Sequence, residues 1–129
     1  HRMNTKDAAD HIVAVATEAL QGIAVVVTDP EDATGHLLAG TPCVVVAPPS
    51  ITGDTGPARV LRFETPVIGA PIGDKPAAWA AVDTIIDRLT PYIEFERAEP
   101  ITWAGAQSAT APAYLITHTM TAFKETPNA

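Results

Sequence analysis

The amino-acid sequence predicts an α+β domain: a single mixed, mostly antiparallel sheet of about five strands with two helices packed on one face. Two segments repeat apolar residues every three or four positions, which is typical of amphipathic helices. β-Branched or alternating runs, separated by turns rich in Gly and Pro, fill most of the remaining length and favour strands. The 129 residues suit a single domain over residues 1–129, with flexible ends expected at residues 1–4 and 124–129.

The first predicted helix spans residues 5–20 and the second spans residues 75–92. Thr5 and Asp74 are the expected N-caps, because their side-chain oxygens can accept hydrogen bonds from the free N–H groups of the first turn. The apolar positions that define the two helix faces are Ala8, Ile12, Val15 and Ala19 in the first helix and Trp79, Val82, Ile86 and Leu89 in the second. Each helix is therefore expected to cover the sheet with one face.

Five strands are predicted, at residues 23–28, 42–47, 58–68, 93–103 and 112–123. Residues 29–40 are polar and turn-rich, so we expect a connection there with one helical turn. Residues 50–57 are expected to form the loop of an antiparallel hairpin between the second and third strands. Hairpins are favoured over βαβ crossovers throughout the chain.

The two longest strands alternate between side chains of different character, so each is expected to present two distinct faces. One face carries Leu61, Phe63, Thr65 and Val67 in the third strand and Tyr114, Ile116, His118 and Met120 in the last strand. His118 lies among apolar neighbours and is interpreted as a packed core or interface histidine rather than a metal ligand.

The net charge of −7 argues against a nucleic-acid-binding surface, which needs a basic footprint. It is compatible with a protein that DNA passes without binding, because a negative wall repels phosphates. The sequence has no apolar run of about 18 residues and no signal peptide, so we expect no membrane association and synthesis in the cytoplasm.

Residues that could carry chemistry are few. Cys43 is the single cysteine, and a buried, inert thiol is favoured over a nucleophile because no histidine is adjacent to it in sequence. Glu94 and Glu96, about 7 Å apart on one strand face, are interpreted as solvated or subunit-facing residues rather than a hydrolase pair. We expect no catalytic residue, metal or cofactor. A small enzyme or ligand-binding domain that uses Cys43 or the carboxylate pair is the remote alternative.

The architecture itself points to assembly. Two helices are too few to cover both faces of such a sheet, and long edge strands invite pairing with another chain. This pattern favours a subunit of a closed ring, in which heterologous contacts repeat around an axis.

Four features resemble the tail terminator proteins of long-tailed, lambda-like bacteriophages. They are the helix of residues 5–20, the hairpin TPCVVVAPPS…ARVLRFETPVI, the helix PAAWAAVDTIIDRL, and the closing pair of an ITW segment and the strand AYLITHTMT. The resemblance implies a structural, non-enzymatic virion protein that forms a hexameric ring at the head-proximal end of the tail. Such a ring caps the tail tube protein, stops tube elongation and presents a docking surface to head–tail connector proteins, while DNA passes through its lumen. A connector or tail-completion protein is the alternative within virion assembly.

Two sets of residues are candidates for these contacts. The candidate subunit interface consists of Arg59, Arg62 and Glu64, which are expected to alternate along one exposed strand face, and of Glu94, Glu96 and Arg97 as complementary partners. The candidate docking loop consists of Ile51, Thr52, Gly53, Asp54, Thr55 and Gly56. Deleting Thr52–Gly56 is expected to spare folding and impair docking. Solvated charges and a plain turn remain the alternative interpretations.

Overall fold

The computed structural model describes residues 4–105 and 110–123, and these form one mixed sheet of six strands with three helices. The elements are α1 (Thr5–Ala19), β1 (Val25–Val27), α2 (Pro30–Leu38), β2 (Cys43–Val45), β3 (Ser50–Thr55), β4 (Ala58–Ile68), α3 (Lys75–Leu89), β5 (Arg97–Ala104) and β6 (Thr110–Phe123). The predicted α+β class and mixed sheet are confirmed, but the counts of five strands and two helices are wrong.

The sheet has the strand order β1-β2-β4-β6-β5, and β3 pairs with β4 beside this path. Only β1 and β2 pair in parallel, and every other pair is antiparallel. The centre of the sheet is the β4–β6 pair, which stays in continuous register from Ala58↔Phe123 to Ile68↔Ala113. The prediction of a mostly antiparallel sheet is therefore confirmed.

Helix α2 replaces the turn-rich connection expected at residues 29–40. Asp29 caps it by accepting a hydrogen bond from the N–H of Glu31 at 3.0 Å, and Pro30 occupies the first turn. Ala33 and Leu37, four residues apart, are both buried. The helix links the parallel strands β1 and β2, so this part of the chain is a βαβ unit, contrary to the expectation of hairpins alone.

The three helices lie on both faces of the sheet. The buried residues of α1 and α3 belong to one core cluster, which includes Leu61, Phe63, Val67 and Ile116 of the central strands. Those of α2 belong to a second cluster on the opposite face, with Cys43, Val45, Ile68, Ala111 and Ala113. The expected packing on one face thus holds for α1 and α3 but not for α2. We call these the covered face and the α2 face.

The helix boundaries differ from the predictions at specific side chains. Asn4, and not Thr5, is the N-cap of α1, and it forms a capping box with Asp7. Asp74 caps α3 as predicted, by accepting from the N–H of Ala77 at 3.1 Å. The buried side of α3 starts at Ala78, so Trp79 is 48% exposed instead of buried. Of the predicted flexible ends, residues 1–4 and 124–129, only Asn4 lies within the described residues, where it caps α1.

A close approach explains why alanine occupies that first buried position of α3. Gly69, just after β4, faces the helix so closely that a Cβ atom there would clash with the backbone carbonyl of Ala78. Only small residues allow the helix to approach the sheet at this point. The bulkier Trp79 is consequently left half exposed beside the sheet.

The predicted loop at residues 50–57 is largely a strand. Ser50–Thr55 forms β3, and only the two residues Gly56 and Pro57 make the turn into β4. Gly56 has a positive φ of 56°, which favours glycine in such a turn. The expected partner β2 does pair with β4, but only at Cys43↔Ile68 and Val44↔Val67.

Candidate interaction surfaces

The covered face contains His118, a buried histidine whose pKa departs clearly from its ordinary value. His118 and Phe63 are cross-strand partners, and their rings stack with centroids 4.9 Å apart and planes inclined by 4°. The hydroxyl of Thr65 is 2.9 Å from Nε2 of His118, and both residues are buried. Burial lowers the pKa of His118 to about 4, so its imidazole is neutral at pH 7. The interpretation of His118 as a packed core histidine is confirmed.

Cys43 lies on the α2 face without contact with solvent. Its Sγ is 3.8 Å from the carbonyl oxygen of Ala33, and burial raises the pKa of the thiol to about 11. The thiolate is therefore scarce at pH 7, and a substrate has no path to the sulfur. The predicted burial of Cys43 is confirmed, and its raised pKa favours an unreactive thiol.

Two searches of the described residues give negative results. Residues 4–105 and 110–123 contain no group of three or more His, Cys, Asp or Glu side chains placed to hold a metal ion. Within the same ranges, no helix has the length and apolar character needed to span a membrane.

The three candidate arginines already have acidic neighbours within the chain. Their guanidinium nitrogens approach carboxylate oxygens in the pairs Arg59–Asp54 at 3.2 Å, Arg62–Glu64 at 3.7 Å and Arg97–Glu99 at 2.8 Å. The continuous register of β4 also places Arg59 on the covered face and Arg62 and Glu64 on the α2 face. The expectation that Arg59 shares a face with the other two is therefore wrong.

Glu94 and Glu96 differ from those arginines in both position and pairing. They precede β5 and do not belong to a strand, contrary to the prediction. Both are exposed. Ile93, before Glu94, and Phe95, between the two glutamates, pack against the covered-face core. Among the described residues, neither glutamate has a salt-bridge partner.

The candidate docking loop is the outer strand of a hairpin. Ile51, Thr52, Gly53, Asp54 and Thr55 all belong to β3, and Gly56 lies in the turn. Ile51 is 49% exposed, whereas its partner Leu61 on β4 is fully buried. Deleting Thr52–Gly56 would remove most of β3 and the turn, so the expectation that this deletion spares folding is withdrawn.

Two of the three outer strands of the sheet, β3 and β5, carry features that oppose backbone pairing with another chain. Within the described residues, β3 pairs with β4 alone and β5 pairs with β6 alone. Strand β3 has an irregularity between Ile51 and Gly53, and β5 contains Pro100 between charged residues and Ile101. Bulges, proline and charges protect edge strands from edge-to-edge association. Contacts of β3 and β5 with other chains are therefore expected through side chains, whereas β1 pairs with β2 alone among the described strands.

Helix α2 covers only one end of its face. The other end, which we call the open half-face, consists of Val60, Arg62 and Glu64 from β4, Thr117, Thr119 and Thr121 from β6, and Arg97 and Glu99 from β5. Its two arginines and two glutamates balance each other, while the whole chain carries −7. Thr117 is 2% exposed between its row neighbours Glu64 and Arg97, because long side chains cover shorter ones. The open half-face is thus charge-balanced and rich in threonine.

A groove of about 610 Å³ lies where the start of α3 meets β5 and β6. Its lining includes Pro71, Lys75, Trp79, Pro100, Pro112 and Tyr114. Lys75 is the one charged residue in the lining, and it has no salt-bridge partner among the described residues. We call this cavity the Trp79 groove.

Sequence reasoning missed the Trp79 groove because it placed Trp79 in the core. The signal was present in the neighbouring alanine: Ala78, and not Trp79, continues the spacing through Val82, Ile85 and Leu89. No family model matches this chain, and no curated protein is significantly similar to it in sequence. Its surfaces and their chemistry therefore carry the functional proposal.

Proposed function

We propose that the chain is a ring-forming structural subunit of a phage tail, which caps the tail tube and provides the docking surface for the head. The observation that carries this proposal is the open half-face. Antiparallel sheets commonly leave one face in solvent, but this half-face is charge-balanced and rich in threonine in a chain of net charge −7. None of its residues lines the Trp79 groove, so it suits contact with another protein more than contact with a small ligand.

The order of the elements supports the same proposal. The resemblance to tail terminator proteins rests on a helix, a hairpin, a second helix and a closing hairpin. The chain has these as α1, the antiparallel strands β2 and β4, α3 and β5–β6, with β1 and α2 between α1 and β2 and with β3 between β2 and β4. The net charge of −7 per subunit suits a lumen through which DNA moves without adhering.

The charged residues divide between two roles in this proposal. Arg62, Glu64 and Arg97 are balanced within the open half-face, which docks onto the tube or the connector. Glu94 and Glu96 lack partners in the described part of the chain and remain candidates for contacts between subunits. Opposite charges placed across such a contact would set its register and specificity.

Native mass spectrometry and a tube-elongation assay test the proposal together. We expect the purified chain to form a closed ring in the first measurement. In the second, substoichiometric chain added to polymerising tail tube protein is expected to shorten the tubes, with one ring at a tube end in electron micrographs. The double variant Thr119→Arg/Thr121→Arg, on the open half-face, should still form the ring in native mass spectrometry but should no longer shorten the tubes.

Thr17→Arg/Thr84→Arg is the matched control, because it also adds two positive charges and both exposed threonines lie on the helices of the covered face, α1 and α3. It should cap tubes as the unmodified chain does. A chain that stays monomeric alone and with tube protein would contradict the ring proposal. A ring that binds portal-side proteins and leaves tube length unchanged would instead identify a head–tail connector.

A further inference from the structure

Tyr92 is the most exposed large hydrophobic side chain of the described residues, at 66%. It starts a short segment, residues 92–96, in which alternate side chains point outward. Tyr92, Glu94 and Glu96 are exposed, while Ile93 and Phe95 pack against the covered-face core. We call this stretch the Tyr92 segment.

The Tyr92 segment is held in place before any partner arrives. The N–H groups of Tyr92 and Ile93 both donate to the carbonyl oxygen of Leu89, each at 2.9 Å. Ile93 is only 8% exposed, so its side chain anchors the backbone. A surface that is already ordered loses little conformational entropy on binding.

The Trp79 groove has the complementary chemistry. It offers an aromatic ring that is 48% exposed, three prolines and Tyr114, and the single charge among its described lining residues is Lys75. The Tyr92 segment offers an aromatic ring and the carboxylates of Glu94 and Glu96, which, like Lys75, have no salt-bridge partner in the described part of the chain. Tyrosine and tryptophan are the residues most enriched at the energetic centres of protein interfaces.

The two surfaces lie at opposite ends of α3. The groove is at Lys75 and Trp79 in the first turns, and Tyr92 follows the last residue, Leu89. A helix of 15 residues is roughly 22 Å long at 1.5 Å per residue, so one copy cannot fill its own groove. Complementary surfaces at opposite ends of a subunit generate head-to-tail contacts, which close into rings when the rotation allows.

We propose that the Tyr92 segment of one copy docks into the Trp79 groove of the next copy, with Glu94 and Glu96 facing Lys75. This proposal rests on the ring function above and identifies the contact that closes the ring. The occupant of the groove is a second copy of this chain because its charge and its aromatic side chain match those of the lining. Asp74, beside Lys75, has its carboxylate at the N-terminus of α3, where it accepts a hydrogen bond from the N–H of Ala77, and it is not among the residues that line the groove.

A charge exchange between separately purified variants tests the contact. Lys75→Glu makes the groove negative, and Glu94→Lys/Glu96→Lys makes the segment positive. Each variant alone should repel its own copies and dissociate at least about tenfold more readily. Mixed in equal amounts, the two should recover assembly, because every groove then meets a segment of opposite charge. Native mass spectrometry should show alternating assemblies with even subunit numbers.

Three controls separate this contact from general effects of charge or folding. Glu18→Lys/Asp83→Lys makes the same charge change on exposed helix positions and should assemble like the unmodified chain. Tyr92→Ser and Trp79→Ser should each weaken assembly, whereas Leu38→Ser should not, although Leu38 is 56% exposed. Circular dichroism of each variant should match that of the unmodified chain.

Each outcome decides the proposal. Recovery on mixing, with the controls unchanged, supports the head-to-tail contact. A ring that survives Lys75→Glu and Tyr92→Ser overturns this contact and leaves the ring function standing. A chain that is monomeric at every concentration, with and without tube protein, overturns both. If the folded variants lose assembly and do not recover it on mixing, the head-to-tail contact is also overturned, because the exchanged charges then do not face each other.

Discussion

The two faces of the sheet use the same strands and are covered in different ways. On the covered face, α1 and α3 bury Leu61, Phe63, Val67 and Ile116 to 2% exposure or less. On the α2 face, one short helix covers a smaller buried cluster at one end, and the open half-face keeps its charged side chains, Thr119 and Thr121 at least partly in solvent. Alternation along β4 and β6 assigns each residue to one of these environments. Most of the buried core therefore lies on the covered face, while half of the α2 face stays open.

The largest expected effect comes from removing one aromatic ring on the covered face. Phe63→Ala deletes a side chain that is 1% exposed and stacked on His118, so it should lower the free energy of unfolding by about 4 kcal/mol. Val60→Ala, on the same strand but on the open half-face, should change it by less than about 0.5 kcal/mol. Urea denaturation of both variants measures the difference. Similar losses for the two variants would contradict the assignment of the faces.

The second effect is a loss of stability at low pH that originates at His118. The unfolded chain takes up a proton near the ordinary pKa of 6.5, whereas the folded chain resists protonation until about pH 4. Between these values the unfolded state binds more protons, so stability falls as the pH falls, by up to roughly 3 kcal/mol. Above pH 6.5 the imidazole is neutral in both states and contributes no pH dependence.

Thermal unfolding followed from pH 7 to pH 4 checks this expectation. In His118→Gln, the part of the pH dependence that comes from the imidazole should disappear, although the variant is less stable at pH 7 because it leaves a polar amide in the core. His36→Gln is the control, since His36 is exposed in the last turn of α2. An unchanged pH profile in His118→Gln would show that His118 is not the source.

The covered face was largely predictable from the sequence. The alternation in β4 and β6 identified the inner residues, and the structure brings them together as cross-strand partners, Phe63 with His118 and Thr65 with Ile116. The spacing of apolar residues also located α1 and α3. When one face of a strand or helix is buried, apolar residues recur at a regular spacing along it, and this spacing is visible in the sequence.

The α2 face and β3 were not predictable by the same reasoning. Helix α2 has only nine residues and two buried positions, too few to display a helical period. Strand β3, with the sequence SITGDT, is exposed on both sides and therefore shows no alternation. The groove depended on the rotation of α3, which is set by the close approach of Gly69 to Ala78, a contact between residues that are distant along the chain.

The smallest expected effect is the coupling energy of an ion pair on the open half-face. Its size depends on whether another chain covers this surface. Arg97 and Glu99 form an exposed pair with an N–O distance of 2.8 Å and side-chain exposures of 60% and 51%. In the isolated chain, a double-mutant cycle of Arg97→Gln and Glu99→Gln should give a coupling energy below about 1 kcal/mol, which added salt reduces further. The same cycle in complex with the docking partner should give a larger coupling, because a covered pair is shielded from water. Equal, weak coupling with and without the partner would mean that the open half-face stays in solvent and that docking uses another surface.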